Sequence, residues 1–135
     1  MAGKKKNYVI DDQAVIAYLK GDSSASYLIS IFKQAEEGKS EIFLPENCWG
    51  LLFLWAEQNN YNLRKINEIL NKLPINVYGM NKEFASKSIE LIEKYPELSV
   101  VDSIFITLAK EKSAVIVTGN RNLKFSDPEI SISWV

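Results

Sequence analysis

Four short runs of β-forming residues, NYVID (7–11), SEIFLPEN (40–47), PINVYGM (74–80) and SAVIVTGN (113–120), alternate with stretches whose apolar residues recur at helical spacing. Strands joined through helices cannot close as hairpins. They pair in parallel, with the helices laid on the faces of the sheet. The continuous apolar character of the inner runs fits strands buried on both faces. A last segment, EISISWV (129–135), alternates and reads as an edge strand. The expected fold is α/β: a three-layer α/β/α sandwich around a mainly parallel sheet of four to five strands, formed as a single domain over 1–135, with 1–6 as a flexible basic terminus.

The helical segments carry their own start and stop signals. Ala14, Val15, Tyr18 and Leu19 share one stripe that ends at Gly21, and Tyr27, Leu28, Ile31, Phe32 and Ala35 share another that ends at Gly38. Asn62 precedes the stripe Leu63, Ile66, Ile69, Leu70 and Leu73. Asn81 precedes Phe84, Ala85, Ile89 and Ile92; both asparagines are capping residues by type. The segment NCWGLLFLWAEQ (47–58) is apolar nearly all round, which predicts a helix buried within the chain, or one that gives a stripe to a homodimer seam.

What the chain lacks narrows its chemistry. It has no histidine, so imidazole bases, imidazole metal ligands and histidine triads are excluded. Its one cysteine, Cys48, allows no internal disulfide and reads as the buried, reduced thiol of a cytoplasmic protein. No apolar run approaches the roughly 20 residues needed to cross a bilayer, so no membrane association is expected. A net charge of −1 gives no global basic footprint for nucleic acid. Catalysis would have to use carboxylates, lysines, hydroxyls or a bound hard cation.

Polar groups gather at the predicted strand ends. Asp11 closes the first strand, Asp102 lies near the start of the apolar helix SVVDSIFITLAKEK (99–112), and Asn120 follows the fourth strand. In a parallel sheet these ends meet at a topological switch point, where ligands bind. Each residue also has a local reading. Asp11 or Asp12 can cap the next helix, Ser99 and Asp102 form a capping-box pattern, and Asn120 after Gly119 is ordinary turn chemistry.

Three motifs in order give a family resemblance. VIDDQAVIAYL, with Ala14 fixing the register on Asp11, LSVVDSIFITLA with Asp102, and IVTGNRNL with Asn120 at an acidic position together resemble the PIN domain, the nuclease fold of VapC-type toxins. The resemblance runs from Tyr8 to Phe125. It implies a metal-dependent endoribonuclease with Asp11 and Asp102 as catalytic acids and metal ligands. The cofactor would be Mg²⁺ or Mn²⁺, as one ion rather than two, or none. RNA would be the substrate, a cognate antitoxin protein the partner, and the chain a homodimer. Such ions prefer oxygen ligands and activate water for displacement at a phosphodiester.

The chain departs from that pattern at two acidic positions. A further glutamate is usual in the helix after the second strand, and counting from Pro45 the position falls on Leu51, or Gly50 with a one-residue slip. Glu46 is the nearby acid. It reads as a first-turn residue favoured by the helix dipole, with service as a substitute ligand as the alternative. Asn120 could offer an oxygen but no charge, and Gln13 replaces a usual hydroxyl residue. Arg121, Lys124 and Lys20 are the candidate phosphate-binding cations. The second expectation is therefore a catalytically attenuated PIN domain that binds RNA or protein. A phosphoacceptor receiver domain is disfavoured because PINVYGM supplies no aspartate at the end of the third strand.

Overall fold

The chain leaves each buried strand through a helix, and the order of those strands decides where the site can lie. The computed structural model describes residues 5–23, 25–120, 122–123, 125 and 127–135. Its elements run β1 (Lys6–Ile10), α1 (Asp12–Lys20), α2 (Ala25–Glu36), β2 (Ser40–Pro45), α3 (Glu46–Gln58), α4 (Leu63–Lys72), β3 (Asn76–Tyr78), α5 (Lys82–Lys94), α6 (Val100–Lys112), β4 (Ala114–Thr118) and β5 (Ile132–Trp134). The sheet has five strands in the order β3-β2-β1-β4-β5, and every pairing is parallel. Lys6, counted from sequence with the basic terminus, opens β1 instead. Among the described residues no helix is long and apolar enough to cross a membrane.

The central strands are buried through Tyr8, Val9 and Ile10 in β1 and Ile116, Val117 and Thr118 in β4. Helices cover both faces. On one, α1 packs on α2 and α3, and α3 on α4; on the other, α5 packs on α6, which lies across β1, β2 and β4. Right-handed crossovers account for the two layers, because the chain moves from β1 towards one sheet edge and returns from β3 to β4 in the opposite sense.

Helix ends follow the capping chemistry of the sequence. Asn62 and Asn81 accept the amides of Lys65 at 3.2 Å and Phe84 at 2.8 Å. Gly21 ends α1 in the left-handed region at φ 69°, where a side chain would be strained.

Several predicted stripes are wider than the faces that are buried. In α4, Ile66 and Leu70 are buried, while Leu63 and Ile69 are exposed. In α5, Phe84 is buried with Ser88, while Ala85 and Ile89 are exposed; Tyr27 lies on the exposed edge of α2. The all-round burial expected of α3 is also corrected. Cys48, Leu52 and Ala56 face inward, but Leu51 and Leu54 are exposed, because α3 lies in an outer layer with one side uncovered.

Candidate functional site

Strand order reverses beside β1. The chain moves from β1 to β2 on one side, while β4 fills the other, so the carboxyl ends of β1 and β4 flank the crevice where open parallel sheets bind ligands. Asp11 is the residue after β1, and Thr118 is the last of β4.

Asp11 is only 4% exposed and adopts the extended backbone of a helix N-cap. Its Oδ1 accepts the Ala14 amide at 2.7 Å, which caps α1, and the Gly119 amide at 3.2 Å, which reaches across to the end of β4. Its Oδ2 accepts the Thr118 hydroxyl. The Thr118 oxygen in turn accepts the Asn120 amide at 2.9 Å. Burial pushes the Asp11 carboxyl above its ordinary value, and the bonds from Thr118, Ala14 and Gly119 pull against that shift. Asp11 is thus at once a cap and a clamp between two adjacent strand ends. Sequence showed the cap. The clamp partner Thr118 lies 107 residues away, and a hydroxyl at a predicted strand end was the one available sign.

Gly119 has a steric role in the same junction. A Cβ there would stand 2.8 Å from Gln13 Cβ and 3.1 Å from the Gln13 carbonyl carbon. Gly119→Ala should therefore destabilise the fold by about 1–3 kcal/mol, as overpacking does, measurable as a lower urea midpoint at unchanged m-value.

Asp102 sits in the first turn of α6, where Ser99 Oγ accepts its amide at 3.0 Å. Because α6 turns directly into β4 at Ser113, it runs against that strand, and its N-terminus points to the same rim as the strand ends. Asp102 is partly exposed. Asn120 is held in a turn: its Oδ1 accepts the Asn122 amide at 3.0 Å in an Asx turn. Glu46 Oε1 accepts the Met80 amide at 3.0 Å, tying the start of α3 to the connection after β3. Leu51 is exposed and apolar. Lys20 is exposed in the last turn of α1, while Arg121 and Lys124 lie outside the described residues. Cys48, beside Asp12, is buried, and desolvation drives its thiol far above the ordinary range, so it is an inert core group.

The donor set is sparse for a resident divalent cation. A carboxylate offers about four acceptor sites, and protein donors fill three on Asp11. The Asn120 and Glu46 oxygens also accept backbone amides. Among the described residues no group of three or more cysteines, aspartates or glutamates could hold a metal.

A family model for the PIN domain matches residues 8–127. The chain belongs to the PIN-domain family. Solved structures carry the same fold. A toxin–antitoxin complex from Klebsiella pneumoniae aligns with a TM-score of 0.69 at 18% identity, covering 91% of this chain and 94% of that one. VapBC2 from Rickettsia felis, bound to a DNA fragment from its promoter, aligns at 0.69 and 15%, covering 96% and 98%. DNA-bound VapBC from Salmonella typhimurium aligns at 0.69 and 16%, covering 95% and 97%. No curated protein sequence matches the chain.

Proposed function

We infer that this PIN domain is a VapC-like module of a toxin–antitoxin type pair that binds RNA and a protein partner of antitoxin type, with its capacity for metal-dependent RNA cleavage attenuated. What carries this reading is Asp11. Its carboxylate is spent on Ala14, Gly119 and Thr118, while the neighbouring acidic positions hold an apolar side chain and an amide already engaged in a turn. The likeness to toxin chains from VapBC complexes supports the antitoxin-type partner. The exposed Leu51 and Leu54 on α3 support self-association through that helix.

The second reading is an active Mg²⁺- or Mn²⁺-dependent endoribonuclease with Asp11 and Asp102 as its catalytic acids. It is favoured by the placement of both residues at one rim. Incubating labelled structured RNA with wild type and Asp102→Ala, with and without Mn²⁺, separates the two. The attenuated module retains the RNA in a gel shift and leaves it intact, with both proteins alike. Mn²⁺-dependent cleavage that Asp102→Ala abolishes would establish the nuclease.

A further inference from the structure

A cleft of about 260 Å³ opens on the α1 side of the switch point, lined by Gln13, Ile16, Ala17, Lys20, Asp22 and Gly119, with Val135 beside them. It adjoins the Asp11 clamp directly, since the Gly119 that forms its wall is the residue whose amide donates to Asp11. We propose that this cleft seats one unpaired RNA base next to the acidic rim and selects bases that carry an exocyclic amino group over uracil. The inference rests on the RNA-binding reading above and names the part of the RNA recognised.

Size, shape and chemistry support this seat. The volume falls just below the roughly 300–1,000 Å³ of drug-sized pockets, which suits a single base and excludes a duplex. Specific RNA recognition is directed at such splayed, unpaired bases. Ile16, Ala17 and Val135 offer apolar surface to the flat face of a base, and Gln13, Lys20 and Asp22 bring polar groups around it. The wall is thin because residue 119 has no side chain, and a Cβ there would collide with Gln13. The position of Asp22 is set in advance: Gly21 turns left-handed, and the Asp22 amide donates to the Ala17 carbonyl at 3.1 Å.

Specificity follows from what each group can do. The Asp22 carboxylate only accepts, so it pairs with the amino group of adenine, cytosine or guanine, whereas the one ring N–H on the pairing edge of uracil lies between two carbonyl oxygens that repel the carboxylate. Lys20 holds a flanking phosphate by charge and reads no sequence. The Gln13 amide both donates and accepts, which aligns the base edge.

Fluorescence anisotropy with short labelled homopolymers of A, C and U tests this on the intact chain. Wild type should bind A and C roughly fivefold or more tightly than U, within the discrimination a good base contact gives. Asp22→Asn should erase that preference. Gln13→Ala and the cleft-filling Ala17→Trp should bring A and C down to the level of U. Lys20→Ala should weaken all three alike and reduce the salt slope by about one. Thermal melts check the fold of each variant, and if Ala17→Trp does not fold, Asp22→Asn and Gln13→Ala decide by the same criterion. Equal wild-type affinity for all three polymers, or cleft variants that keep the wild-type preference, would overturn the base seat and leave RNA binding standing. Failure of wild type to bind any of them would overturn both.

Discussion

Replacing Asp11 with alanine is expected to lower the unfolding free energy by about 2–4 kcal/mol, because it removes a helix cap, worth roughly 0.5–2, and strands buried donors, at roughly 1–3. The donors in question are the Ala14 and Gly119 amides and the Thr118 hydroxyl. Asp11→Asn should behave very differently. Its side-chain oxygen can still accept the Ala14 and Gly119 amides, its NH₂ can donate to Thr118 Oγ, and it brings no buried charge. Urea unfolding of the two variants should therefore place Asp11→Asn near wild type and Asp11→Ala far below.

The same pair fixes the sign of a pH dependence. Burial raises the Asp11 carboxyl above its ordinary 3.8 in the native state. The folded protein then holds this proton to higher pH than the unfolded chain does. The resulting stabilisation is complete below 3.8 and is lost as pH rises through the raised value. The stability of wild type relative to Asp11→Asn should decline across that window and then level off. A difference that rises with pH would mean that the clamp favours the charged form.

Placing acids at positions 51 and 120 is the second large effect expected. Leu51→Glu with Asn120→Asp should raise Mn²⁺ affinity at least about tenfold, or roughly 1.4 kcal/mol. It should also raise Mn²⁺-dependent cleavage of structured RNA above the wild-type level. Asn120→Asp preserves the acceptor for the Asn122 amide and adds a charge two residues after Thr118, whose hydroxyl bonds Asp11. Leu51 is exposed, so a glutamate there breaks no core contact. No gain in either measurement would place the fault in the geometry of the rim and not in the identity of its ligands.

Much of this architecture is written in local patterns. The alternation of β-forming runs with helical stripes determines a parallel sheet, and capping residues at 62, 81 and 99 mark helix starts that the structure bears out. The placement of Asp11 is equally legible, since one short motif gives both the strand end and the helix start. Burial was overread where a layer has a free side. Leu51, Leu54, Leu63, Ile69 and Ile89 are apolar yet exposed, and composition alone cannot tell which side of a helix is covered. The engagements of the acidic rim were also hidden. That Thr118 closes on Asp11, and that Glu46 reaches Met80, depends on strand order and on contacts 107 and 34 residues apart. Local periodicity carries no trace of such pairs.

Isothermal titration of the wild-type chain with MnCl₂, alongside Asp102→Ala, tests most directly whether the acidic rim is a clamp or a metal centre. The expected result is the same weak, unsaturated heat from both proteins, with any Kd above about 1 mM. One-to-one saturable binding by wild type that Asp102→Ala abolishes would contradict it.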